Sequence, residues 1–429
     1  MQVNGFSDAG FAPAPAAPAR PAGHPPAIGR ATRLAAALLL LGTLVLATVE
    51  AVRAVGPGPD RPGIVDFHPF HAVGRMVWEG RAAQAYDMPL MRARESAMGG
   101  GHPGFLPFVY PPLFALLVAP LGLLPLGVAF FLFAAGSCAF YLAVLRRLAG
   151  PWFWCAALAT GPVLLIDIRL GQNGLLTGGL AGLAAELSLR GRGRLAGLAA
   201  GALAFKPQAA TMLPVLFLLR RDGRALGWAA AAALLLTGLA VLVLGRDTVP
   251  GFLAAGRFVG AFMAAGTFPV HRMTSVYACA LSLGVPARAA LAIHGLVALG
   301  IVTATVVTAR RLTGGAGRDG AGEPRAAAGL ALMATAFVSP YLFDYDLAVF
   351  GMGLALALPG LALRLTARRL EALLLAVLAS GGIGFAFIIA VALDERARLS
   401  LGGPALLACF AAMLATLRRG PGRYPGAKG

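Results

Sequence analysis

Charge is scarce in this chain. Of its 429 residues 13% are Asp, Glu, Lys or Arg, 58% are hydrophobic, and mean hydropathy is +0.77. A soluble protein of this length needs roughly a quarter charged residues to cover its surface. A water-soluble enzyme is thereby excluded and a polytopic membrane protein is indicated. Cysteine is sparse as well. Cys138, Cys155, Cys279 and Cys409 sit singly in apolar runs, without the CxxC or Cys/His spacing of a zinc site. They read as small packing residues, and neither a disulfide nor a metal centre is expected. Lysine is almost missing: Lys206 and Lys428 stand against 34 arginines. The net charge of +18 does not imply nucleic acid, because the arginines cluster between apolar runs and form no continuous face. They read as topology markers under the positive-inside rule.

What is present is a series of apolar runs. A spanning helix needs roughly 20 such residues. Candidates lie at 33–53, 108–146, 151–168, 174–190, 194–219, 225–245, 289–309, 326–362, 370–392 and 401–417. Residues 1–30, rich in Pro, Ala and Gly, read as a disordered cytoplasmic tail. Residues 31–419 read as one membrane domain, and 420–429 as a second cytoplasmic tail. The first run lies too deep and is too long for a cleaved signal peptide. With the N-terminus in the cytoplasm, the arginine clusters at 146–147, 190–194, 220–224, 310–311, 364–369 and 418–419 all fall on that side.

That arrangement makes residues 194–219 begin and end on one side, and residues 326–364 likewise. Each run is interrupted by a polar proline motif, FKPQ at 205–208 and SPYLFDYD at 339–346. Proline removes a backbone donor and disfavours helix at the residue before it. Each run is therefore expected to be two short helices meeting at an outward tip, which survives at membrane depth only against protein or a wet cavity. Residues 108–146 are expected to hold a half-helix from Pro111-Pro112 and one crossing. The outward segments are 54–107, 169–173, 246–288 and 393–399. The fold class is all-α: a bundle of about 10–12 transmembrane and re-entrant helices with extracytoplasmic amphipathic helices.

The first dense group of ionisable residues is GIVDFHPFHAVGRMVWEGRAAQAYD at 63–87. Asp66 has apolar neighbours (Val65, Phe67, Phe70), which favour a raised pKa. Such a carboxylate can take a proton from a hydroxyl, although an ordinary capping acid would look the same. The residues after it are expected to form an amphipathic helix on the membrane surface, ending at Gly80, with Trp78 at the interface. His68 and His71 are three apart, a spacing too common to mark a metal. Lys206, at a helix break in mid-membrane, is costly and hence a functional candidate, a compact charge suited to phosphate. In IRLGQNGLL at 168–176, Arg169, Gln172 and Asn173 form either an anion-receptive corner or a plain turn. Arg272, beside His271, adds an outward cation. At the two tips, Gln208, Tyr341, Asp344, Tyr345 and Asp346 complete the polar inventory, the two acids being expensive there without a purpose.

The order of these motifs resembles bacterial glycosyltransferase family 87, the polyprenyl-phosphate-mannose-dependent mannosyltransferases of the GT-C superfamily. The landmarks are VDFHPFHAVGRMVWEGRAAQAYD, FVYPPLFALLVAPLGLLP, GQNGLL, GRLAGLAAGALAFKPQ, MTSVYACALSLG and SPYLFDYDL, in family order between residues 35 and 355. The resemblance implies a GT-C bundle in the bacterial inner membrane with its active site on the extracytoplasmic side. Asp66 matches the acidic residue of the first outer loop that acts as general base. The implied donor is a polyprenyl-phosphate hexose, mannose first, and the acceptor hydroxyl belongs to a lipid or glycan. Lys206, Arg169, Gln172 and Arg272 would hold the donor phosphate; His68, Asn173, Gln208, Tyr341, Asp344, Tyr345 and Asp346 would line the substrate. No cofactor is implied, and metal-independent transfer is expected because lysine and arginine can carry the charge of a lipid monophosphate. Mannosyltransferase members carry histidines after the Ser-Pro tip; here Tyr345 and Asp346 stand there. The rival expectation is a multi-pass transporter or lipid flippase binding its cargo at Asp344 and Asp346, since broken helices also serve transporters. The long acid-bearing loop after the first helix and the lack of a repeat between the chain halves oppose it.

Overall fold

The computed structural model describes residues 29–55, 66–98, 105–264, 270–314, 323–393 and 399–419. The tails expected at 1–30 and 420–429 lie almost wholly outside these residues, as do parts of the 54–107 loop and most of the turn at 393–399. Among the described residues every regular element is helical, and the one strand-like feature is a bridge between Met273 and Phe343. Among the described residues five segments are long and apolar enough to cross a bilayer: Arg30–Arg53, Leu126–Ala159, Gly223–Leu244, Ala287–Gly314 and Asp344–Ala362.

α1 (Arg30–Val55) turns Leu34, Leu38, Leu41 and Leu44 outward. A helix with exposed leucines along it needs lipid around it. α2 (Phe67–Trp78) starts directly after Asp66, and α3 (Met88–Met98) follows a short 3₁₀ turn. α4 (Pro112–Val118) begins with proline in its first turn, where the missing N–H costs nothing. It passes through a 3₁₀ turn at Ala119–Leu123 and gives way to the 24-residue α5 (Leu126–Ala149). The half-helix and single crossing expected over 108–146 are thus present. The surface position expected for α2 is not: nine of its twelve residues are buried. The α4 turn roofs it, with Trp78 Nε1 donating to the Ala119 carbonyl at 2.7 Å and His71 Nε2 lying 2.9 Å from the Leu124 carbonyl oxygen. The run at 151–168 is also divided, into α6 (Phe153–Ala159) and α7 (Gly161–Leu170), because Pro162 has no N–H to continue the helix ladder and sits instead in the first turn of α7.

α8 (Gly174–Leu189) leads to the first interrupted run, α9 (Gly193–Ala202) and α10 (Leu213–Leu219), parted by two 3₁₀ turns with Lys206 between them. α11 (Gly223–Leu244) then runs alongside α9: Gly193 abuts Asp222 and Gly201 abuts Ala232. The chain therefore returns to its starting level before α11 begins. Arg220 closes the base by donating to the Ser188 hydroxyl at 3.1 Å and the Ser188 carbonyl at 2.9 Å.

The segment 246–288, expected as an outer loop, holds α12 (Thr248–Ala264) and α13 (Val276–Ser282). α12 was hidden in the sequence by Pro250 and Gly251 near its start. After α14 (Ala287–Gly314) comes the second interrupted run, α15 (Pro324–Ala334) and α16 (Ala348–Ala362). Gly329 faces Gly353 and Ala357 across it, and Arg364 grips Glu323 with two bonds of 3.0 and 2.8 Å at its base. It too folds back on itself. α17 (Ala367–Leu393) and α18 (Gly402–Arg418) complete the bundle.

Candidate active site

Three chain breaks and the start of α2 meet at one place. Gly171 ends α7 with φ +65°, the left-handed conformation that glycine adopts without strain. A Cβ there would lie 2.6 Å from Phe67 Cβ. That closeness brings Asp66 against the turn, and Gln172 Nε2 donates to Asp66 Oδ2 at 3.0 Å. Gln172 Oε1 accepts from the Tyr110 hydroxyl at 3.2 Å, so its amide is held at both ends. Asn173 is fully buried, and its Oδ1 accepts from Lys206 Nζ at 2.7 Å. Lys206 also pairs with Asp346, both nearly enclosed. The result is an unbroken line, Asp66–Gln172–Asn173–Lys206–Asp346, through the residue before α2, the α7–α8 turn and both hairpin tips.

A second ion pair lies beside it. Arg272 grips Asp344 with bonds of 3.3 and 3.0 Å. Its segment is fixed by the Met273–Phe343 bridge and by Thr274 N–H donating to the Leu342 carbonyl at 2.8 Å. Both cations lie over the Tyr345 ring, Lys206 Nζ 5.0 Å and Arg272 Cζ 5.7 Å from its centre. Such cation–ring contacts strengthen where water is excluded. Gly174, where α8 begins, lets the second tip approach: a Cβ there would meet the Tyr345 carbonyl oxygen at 2.1 Å. Beside this contact a cavity of about 340 Å³ opens, with Lys206, Asp346, Tyr345, Tyr110, Gln208 and Tyr341 on its wall among apolar neighbours.

Burial raises the Asp66 carboxyl above its ordinary value; Arg272, the Gln172 hydrogen bond and Lys206 oppose that rise. The group is thus a stronger proton acceptor, once ionised, than an exposed aspartate. Among the described residues no cluster of three or more His, Cys, Asp and Glu side chains could hold a metal.

A family model for glycosyltransferase family 87 matches residues 108–340. The chain belongs to that family. The match takes in Tyr110, the Gln172–Asn173 turn, Lys206 and Arg272, and stops at the Ser339-Pro340 tip. It makes this membrane protein a glycosyltransferase and removes the transporter alternative. No curated protein and no solved structure matches the chain.

Of the residues singled out in this family 87 enzyme, Asp66, Gln172, Asn173, Lys206 and Asp346 are joined directly, while Arg272, Asp344 and Tyr345 pack around them. Gln208 and Tyr341 line the cavity, and His68 is buried in the first turn of α2. Arg169 does not join them. Its guanidinium pairs with Glu50 of α1 at 3.1 Å, and Glu50 also holds Arg53 at 3.3 Å. Helix geometry explains this, because Arg169 lies in the last turn of α7 on the side facing α1. Two contributors were not foreseen. Tyr110 is masked by its proline-rich surroundings. Asp167 accepts from Leu175 N–H at 2.9 Å at the start of α8, and its backbone carbonyl accepts from Gln172 N–H at 3.0 Å. A lone acid in an apolar run was the signal for it.

Proposed function

We propose that this enzyme transfers a hexose, mannose first among them, from a polyprenyl-phosphate donor to an acceptor hydroxyl, with inversion and with Asp66 as general base. The observation that supports this reading is the hydrogen-bonded line from Asp66 to Lys206. It sets a proton acceptor and a cation apart by two amide side chains, one at each end of the bond exchange. The acceptor oxygen loses its proton to Asp66 and forms a bond to the anomeric carbon. The bond from that carbon to the phosphate oxygen breaks, and the phosphate keeps the electron pair. Lys206, with Arg272 on the same Tyr345 ring, stabilises the charge that collects there; preorganised charge of this kind is usually the largest catalytic contribution. Gln172 and Asn173 orient the two ends, and Asp344 and Asp346 hold the cations until the phosphate arrives. The donor chemistry makes no demand for a metal. The site would face the extracytoplasmic side of a bacterial inner membrane, where the acceptor is a lipid or a glycan.

The test is transfer by the purified full-length protein from a panel of polyprenyl-phosphate sugars, with wild type beside Asp66→Asn. Asp66→Asn is expected to lower turnover about 10²–10⁴-fold, the usual worth of a positioned base, while donor binding persists. Wild-type activity with nucleotide sugars alone, or full activity in Asp66→Asn, contradicts the proposal.

A further inference from the structure

We infer that the cavity beside Lys206 is the bed of the donor's isoprenoid chain, and that the bare face of α12 at Gly256 and Gly260 sets the width of that bed. The inference rests on the polyprenyl-phosphate reading above.

The cavity wall is mixed. Lys206 and Asp346 supply charge and Gln208 an amide beside the tyrosine rings, while Phe205, Phe252, Val259, Met263 and Met273 make much of the remainder apolar. A fully polar sugar would leave most of that wall without a partner, whereas an anionic head on a hydrocarbon chain matches both. α12 supplies a whole wall, through residues 252, 256, 259, 260 and 263. Their spacing of four, three, one and three places them on one helical face.

The two glycines on that face have no packing reason to be glycine. A Cβ at Gly256 or Gly260 would meet no atom within 4 Å, and neither has the positive φ that favours glycine. Gly251 differs: a Cβ there would meet Tyr86 at 2.9 Å, which seats the helix. Glycine weakens a helix interior. What the pair leaves open is space along α12 in the same cavity that Lys206 lines. Leu253, Phe258 and Phe262 of the same helix are exposed, so α12 stands in apolar surroundings from which a chain can enter sideways.

The test is a graded series, Gly260→Ala, →Val and →Leu, with Gly256→Leu, in the full-length protein. Each substitution adds side chain into open space and improves helix propensity, so folding is preserved. KM for a long-chain polyprenyl-phosphate hexose is expected to rise with side-chain size, about fourfold for each methylene of chain kept from burial, with kcat nearly constant. KM for a donor with only two isoprene units is expected to move less, and the acceptor KM not at all. Binding of polyprenyl monophosphate alone, followed by native mass spectrometry, is expected to weaken in the same order. Unchanged donor KM and binding across the series overturns the inference. A rise confined to the acceptor KM overturns it too, by giving the bed to an acyl chain of the acceptor. If wild type binds polyprenyl monophosphate and the series weakens that binding, yet no polyprenyl-phosphate sugar is used, the bed stands and the donor reading fails.

Discussion

At the scale of single residues, protonation decides the outcome. As the proposed base Asp66 must be ionised to accept a proton, and burial lifts its pKa above the ordinary carboxylate value. Turnover is therefore expected to fall as pH drops through that raised value, so the acid limb of the rate profile lies above the ordinary carboxylate range. Gln172→Leu removes a hydrogen bond that favours the ionised form and is expected to push the limb further up. A pH–kcat series on both proteins checks this; an unmoved limb in Gln172→Leu counts against Asp66 as the titrating base. Glu95 of α3 is a different case. It is fully buried, accepts from Leu106 N–H at 2.8 Å, and burial pushes its carboxyl up to about 8. Its folded pKa exceeds its unfolded value, so the stability it contributes is complete below about 4.5 and is lost as pH rises towards about 8. Glu95→Gln is expected to flatten that decline, measured as thermal midpoint against pH between 5 and 9 in one detergent.

At the scale of elements, close approach and stapled ends hold the site. Gly171→Ala must adopt a left-handed conformation at about 1–2 kcal/mol and also press on Phe67. It is expected to lower the thermal midpoint and to reduce turnover more than a surface substitution of equal destabilisation, since Asp66 is displaced with Phe67. Glu323→Gln at the base of the second hairpin leaves the buried Arg364 without its carboxylate, at about 1.5–3 kcal/mol. A denaturation series is expected to show that loss. The hairpins were legible in the sequence because proline motifs between same-side arginines admit few other arrangements. Asp66 and Lys206 were legible as costly groups in oily surroundings. Which cation each acid takes was not: Arg169 sits two residues before the Gly171–Gln172 turn, but helix phase hands it to Glu50. α12 was missed because its breakers mimic a loop, and the depth of α2 because its roof comes from a segment more than thirty residues later.

At the scale of the whole molecule, the arrangement sets a sidedness. The α1 end at Glu50, the α7 end at Arg169 and both hairpin tips lie together with the site, whereas the hairpin bases at Ser188–Arg220 and Glu323–Arg364 lie at the other end of their helices. In intact cells Arg81→Cys is expected to react with a membrane-impermeant maleimide, and Arg192→Cys only after permeabilisation. Both positions are exposed, so the reverse pattern would place the site in the cytoplasm.

Each hairpin leaves from and comes back to one tied base, and this makes its two arms a matched pair. Inserting one helical turn into a single arm lengthens it by about 5.4 Å, and the tip must then tilt, because the base cannot slide. The reach of Lys206 towards Asn173 is thus a difference between two lengths. Redesign of either tip has to add or remove residues in both arms together, or the ammonium will miss the amide that steadies it.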